Sequence, residues 1–124
     1  MGFLSKYSPQ ILGVLRIVAG LLFLEHGLMK IAGFPAPMGA GALPPMIMVA
    51  GVIELVGGAL IALGLFSRYA AFIASGEMAI AYFMVHLQRG LYPALNGGDA
   101  AVLFCFIFLY LAAAGPGAFA INDK

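Results

Sequence analysis

QILGVLRIVAGLLFLEHGLMKI, residues 10–31, is the first long apolar run of the chain. Its length matches the about 20 mostly apolar residues that a helix needs to cross a bilayer. Four ionisable side chains, Arg16, Glu25, His26 and Lys30, interrupt it. Its apolar core is too long for the h-region of a signal peptide, and no small-x-small cleavage site follows cleanly. The stretch therefore reads as a retained membrane helix.

Three stretches of the same kind follow, at about 45–66, 69–88 and 98–115. The segments between them carry breaker chemistry. GFPAPMGAGALPP (33–45) reads as a loop, Ser67-Arg68 as a tight link, and Arg89-Gly90-Leu91-Tyr92-Pro93 with Asn96-Gly97-Gly98 as the third connection. Gly115-Pro116-Gly117 stops the last helix. Only helices and closed barrels satisfy backbone polar groups in lipid. The runs are too long and continuous for barrel strands. The expected fold class is all-α, an integral membrane four-helix bundle, with residues 1–124 as one domain.

Composition agrees. Apolar residues make up 64% of the chain and charged ones 9%, with mean hydropathy +1.08. A soluble domain is about 45–50% apolar and about 25% charged. A net charge of +1 and the lack of a basic run give no footing for nucleic acid. Cys105 is the one cysteine, so an intramolecular disulfide and a Cys-x-x-Cys redox pair are excluded. An even number of spans puts both termini on one side, here called the in side. It carries Lys6, Arg68 and Lys124, with Arg16 near it, against Lys30 and Arg89 on the out side. The positive-inside rule then expects both termini in the cytoplasm.

At about 1.5 Å rise per residue, Glu25, His26 and Lys30 share a layer near the out face with Tyr82 and His86 of the third stretch. Asn96 and Asp99 bracket the start of the fourth stretch at that face, and Arg89 can reach it. Arg16, Glu54 and Glu77 lie deeper. Charges facing lipid at mid-bilayer cost at least about 2.5–3.5 kcal/mol each, so these groups are expected to face inward. Arg16 with Glu77, and secondarily Glu54, reads as the natural ion pair. Lys30 and Arg89 read as snorkelling anchors or as members of the polar layer.

Helical phase complicates this picture. Glu25 points about 100° away from His26. On the third stretch Tyr82, His86 and Arg89 share one stripe, while Glu77, Met84 and Gln88 share nearly the opposite one. Either that helix touches neighbours on two sides, or one stripe meets another subunit. Asp99 suits a helix N-cap or a polar contact to a ligand. His26 and His86 are read either as proton-exchanging groups or as hydrogen bonds that fix the bundle. No Glu-x-x-His pair of the di-iron bundle type is present, so no metal is expected. Gly58 and Ala62 form a small-xxx-small pair that suits close helix approach.

These motifs together resemble the DoxX family of small bacterial four-helix membrane proteins. The resemblance rests on LRIVAGLLFLEHGLMKIAGF (15–34), GVIELVGGALIALGLFSRYAA (51–71), the run around Glu77, and NGGDAAVLFCFIFLYLAAAGPG (96–117). It covers about residues 10–123. Two departures are Asp99, where the family usually has Glu, and AFAIND (118–123) after Gly-Pro-Gly. The resemblance implies an oxidoreductase-type membrane subunit linked to quinone or thiol chemistry, with Arg16, His26, Lys30, Glu54 and Asp99 as the functional set. The depth argument adds Glu25, Glu77, Tyr82 and His86.

The leading expectation is a membrane redox subunit that takes a quinone or similar amphiphile into the bundle. In it His26, His86, Glu25 and Glu54 handle protons, while Arg16, Lys30, Glu77, Tyr82, Asn96 and Asp99 bind substrate. No cofactor ligand set is evident in the sequence, so electrons are expected from a partner redox protein. The rival from another class is a non-catalytic binding or assembly subunit, whose polar layers fix helix register and hold a partner or a second copy. Proton-coupled transport ranks last, because Leu22 and Phe23 interrupt the polar path and no inverted repeat supports it.

Overall fold

A computed structural model describes residues 1–39 and 41–124. Among them there are helices and no strands. Ala40, in the Gly/Pro-rich loop expected at 33–45, lies outside the described residues. A short α1 (Gly2–Ser5) precedes α2 (Ser8–Ile31) and α3 (Pro45–Leu63). Next comes α4 (Ser67–Ala81), which continues through a π-helical turn (Tyr82–His86) and a 3-10 turn (Leu87–Arg89). The short α5 (Pro93–Asn96) leads into α6 (Asp99–Ala114). Three helices, Ser8–Ile31, Pro45–Leu63 and Ser67–Arg89, are long and apolar enough to cross a membrane, and α6 is a shorter apolar helix.

Local chemistry sets these boundaries. Proline opens α2 and α3, where its missing N–H has no helical partner to lose. Gly64 ends α3 in the left-handed region at φ 70°. The surface is the reverse of a soluble protein's. Val18, Val49, Phe72, Leu103 and Phe106 all stand exposed, as the acyl-chain solvent allows.

Small residues press α2 onto α3. A Cβ on Gly20 would stand 2.7 Å from the Ala62 backbone nitrogen, and one on Gly27 would stand 2.5 Å from that of Leu55. Gly58, the first member of the small-xxx-small pair, meets Leu24 and Gly20 in the same way. Helix packing in lipid depends on such close approach. The second pair, α4 and α6, packs through Ala71, Ala74, Met78, Phe104 and Phe108. Phe23 of α2 joins the two pairs, with ring centroids 4.8 Å from Phe108 and 5.7 Å from Phe104.

The in end is closed by the segment after α6. Ala118 N–H donates to the Pro9 carbonyl at 2.8 Å, and Asn122 N–H donates to that of Gly64 at 3.0 Å. Thus the start of α2 and the segment after α6 meet on one side. Here the structure corrects the expected Arg16–Glu77 ion pair. Arg16 is fully buried. Its Nε donates to the Ile61 carbonyl at 2.9 Å, Nη1 to those of Pro116 and Ala118, and Nη2 to Phe119 at 2.8 Å. A planar guanidinium with five donors suits several carbonyls at once. Gly64 and the 115–124 segment place those carbonyls closer to it than any carboxylate. Arg68 ties that segment to the end of α6, donating to the carbonyls of Asp123 at 2.9 Å and Ala113 at 3.0 Å.

Candidate functional site: a polar-floored cavity in the out half

The polar groups of the out half converge on one cavity of about 390 Å³, between α2, α3, α4 with its π turn, and α6. Small-molecule sites fall in the range of about 300–1,000 Å³. Its polar lining is Lys30, Glu54, Glu77, His26, His86 and Arg89, and its apolar wall includes Phe23, Met78 and Phe104.

The deep floor is an ion pair. Lys30 Nζ donates to Glu54 Oε1 at 2.6 Å, with the Glu54 side chain 1% and the Lys30 side chain 11% exposed. The snorkelling anchor expected of Lys30 is therefore not what forms. Gly51 explains why: a Cβ there would stand 2.8 Å from Lys30 Cβ. The glycine face lets the lysine stem lie on α3, and its head turns toward Glu54. Glu77 brings a second carboxyl beside Glu54 from the α4 side. Its Oε1 is buried with no hydrogen-bond partner.

The histidines are held alike. His26 Nδ1 lies 2.8 Å from the Leu22 carbonyl, and His86 Nδ1 lies 3.3 Å from that of Asn96. A carbonyl only accepts, so each Nδ1 carries a proton, and Nε2 is the acceptor of whichever ring is neutral. The His26 ring stands edge-on to Phe104 with centroids 5.7 Å apart.

The conflict of stripes on the third helix resolves in a way the two expected alternatives omit. Nine positions separate Glu77 from His86, which at about 100° per residue puts them about 180° apart. The π turn at Tyr82–His86 takes up one extra residue, which turns later side chains back by about 100°. Both residues then line one cavity, while Met84 and Gln88 stay exposed.

Other expected site residues lie elsewhere. Glu25 is exposed. It shares an outer ridge of α2 with Val14, Val18, Leu21 and Leu22, because the small face of that helix, with Gly20 and Gly27, is committed to α3. This corrects the expectation that it faces inward. Arg16 is at the opposite end of the bundle from the cavity. Asp99 is exposed at the first helical position, and Gly98 takes the cap position expected for it. Asn96 is buried and fully used. Nδ2 donates to Tyr82 Oη at 3.2 Å and to the Gly90 carbonyl at 3.0 Å, and Oδ1 accepts from Gly98 N–H at 2.8 Å. Tyr82 packs against Gly98, where a Cβ would stand 2.7 Å from its ring. These two residues shape the entry to α6 and, through the Asn96 carbonyl, orient His86. The aromatic wall is the part that the sequence pattern does not reveal. Its signal is Phe23, Phe104 and Phe108 among many lipid-facing phenylalanines. Among the described residues, no three of His, Cys, Asp and Glu converge in a way that could hold a metal ion.

Comparison with known proteins places this architecture. The DoxX family model matches residues 11–87. The match ends before the Asn96-Gly97-Gly98-Asp99 turn, which the motif resemblance includes. A protein of Haemophilus influenzae, described as uncharacterised, is 48% identical over all of this chain and 97% of its own. A Bacillus subtilis protein named "Putative oxidoreductase CatD" is 28% identical over 88% of this chain and 82% of its own. No solved structure matches the chain at a significant level.

Proposed function

The chain belongs to the DoxX family, and from that premise we propose that it is the membrane subunit of an oxidoreductase that handles a quinone or a related redox-active small molecule. The observation that carries this reading is the cavity itself. An aromatic wall (Phe23, Phe104) stands over titratable groups (Lys30, Glu54, Glu77), with the two histidines His26 and His86 beside them. A flat, mostly apolar molecule with polar oxygens fits that division. The name of the Bacillus subtilis relative agrees with the reaction class.

Two-electron reduction of a quinone to a quinol takes up two protons. In this reading His26 and His86 exchange them through Nε2, Glu54 and Glu77 relay them, and Lys30 fixes the local charge. The electrons come from a partner redox protein. Glu25 supports such a neighbour, or a second copy of the chain. An exposed carboxyl on an apolar ridge of a membrane helix is costly against lipid, and a protein contact relieves that cost. The termini face the cytoplasm of a bacterial inner membrane and the cavity mouth faces away from it. Lys6, Arg68 and Lys124 on the in side support that orientation.

The test is ligand stabilisation in detergent. Decylubiquinone at 100 times its Kd should stabilise the purified protein by about 2.7 kcal/mol, and His26→Ala should abolish the effect. No shift with decylubiquinone or with a menaquinone analogue would refute the reading.

A further inference from the structure

The lipid-facing side of α2 carries one group that the bundle leaves unused. Val14, Val18, Leu21 and Glu25 fall within about 60° of one another around the helix, and all four are exposed. Gly27, which seats α2 on α3, points about 160° away from Glu25. The carboxyl therefore stands near the middle of the outward face. It belongs to a residue six positions before the end of α2 at Ile31, about 9 Å below the out end. Long lysine and arginine stems reach an interface from such depth, and the short glutamate does not. The other exposed acids and bases among the described residues, Lys6, Arg89, Asp99, Asp123 and Lys124, lie at or beyond the ends of the spans. The two ion pairs among those residues, Lys30–Glu54 and Arg68–Asp123, leave Glu25 out.

We infer that this ridge of α2 is the docking face for one transmembrane helix of a partner protein, and that the partner carries an arginine or lysine facing Glu25. The inference deepens the proposed function and rests on that reading for the partner's existence. Charge complementarity selects the occupant. A carboxylate facing acyl chains at this depth is costly, and a guanidinium beside it removes that cost with two parallel N–H···O bonds. A second copy packed through the same ridge about a two-fold axis sets Glu25 against Glu25, so a like charge rejects it. Val14, Val18 and Leu21 supply the packing that holds helices together in lipid. The acid supplies the choice of partner.

The probe is a synthetic transmembrane peptide of about 20 apolar residues, with arginine, leucine or glutamate at one position about 9 Å from its end. Its association with the purified full chain is read by Förster transfer in phosphatidylcholine vesicles. The expected result is association of the arginine peptide at least about tenfold tighter than that of the leucine peptide, with the glutamate peptide no tighter than leucine. Glu25→Gln should bring the arginine and leucine peptides within about threefold, and Glu25→Arg should turn the preference to the glutamate peptide. Equal association of the arginine and leucine peptides with the wild-type chain, or an arginine preference that survives Glu25→Gln, would overturn the inference. So would disulfide cross-linking of two copies through Glu25→Cys in native membranes, in a Cys105→Ser background, which would assign the ridge to a second copy. Decylubiquinone binding is read separately, so failure of the peptide test leaves the proposed ligand standing.

Discussion

Lys30 Nζ and Glu54 Oε1 meet at 2.6 Å across the glycine face that joins α2 to α3, and both side chains are nearly withdrawn from the surface. This pair fixes the register of the two helices at the depth of the cavity. Breaking a buried pair by removing one partner costs about 3–5 kcal/mol, because the other charge stays buried and alone. Lys30→Met and Glu54→Leu should each lower thermal stability in detergent by that order, and the double variant should recover most of the loss. A thermal double-mutant cycle with additive losses would show that the pair contributes nothing.

The Arg16 clasp should behave differently. Hydrogen bonds to a charged group contribute about 1.5–3 kcal/mol each, and Arg16 makes them to four carbonyls. Arg16→Lys keeps the charge and loses the planar fork. It should lower the unfolding temperature and expose residues 115–124 to limited proteolysis, with ligand affinity within twofold of wild type. A selective loss of ligand binding with an intact, protected tail would return Arg16 to the site.

Gly27→Val tests how the fold positions the cavity. The added side chain enters space where a Cβ already stands 2.5 Å from the Leu55 nitrogen and 2.8 Å from the Gly51 carbonyl oxygen. Overpacking of this kind costs about 1–3 kcal/mol. Forcing α2 from α3 should also separate Lys30 from Glu54, so that binding falls more than stability does. Calorimetric titration alongside thermal unfolding reads both.

How much of this the sequence shows depends on the kind of interaction. The helices are legible because bilayer thickness fixes a length and Gly/Pro clusters interrupt it. The depth of the polar groups is legible because rise per residue is constant, so counting along the chain is enough to put Lys30, His26 and His86 in one layer. Azimuth is not legible. A π turn leaves no mark in residue types, yet Tyr82–His86 brings Glu77 and His86, from opposed stripes, into one lining. The partners of Arg16 are not legible either. They are main-chain carbonyls, which every residue has, so a search for a carboxylate finds Glu77 instead. Glu25 misleads because its cost in lipid argues for burial within the chain, and a protein neighbour meets the same cost.

Glu25 therefore separates intramolecular from intermolecular roles. Exposed substitutions change stability by within about 0.5 kcal/mol. Glu25→Gln should leave both the unfolding temperature and decylubiquinone affinity unchanged, while shifting the subunit stoichiometry seen by native mass spectrometry from membranes. An unchanged stoichiometry with weakened ligand binding would place Glu25 in the proton path instead.

In the proposed function the redox-active ligand occupies the out-half cavity. An azido-quinone photolabel, activated in native membranes and mapped by peptide mass spectrometry, tests it most directly. The account predicts adducts on residues 23–30, 77–89 and 100–104, all competed away by decylubiquinone. Adducts confined to the in-side groove at Arg68, Tyr69, Phe72 and Lys124, or labelling that decylubiquinone leaves unchanged, would contradict it.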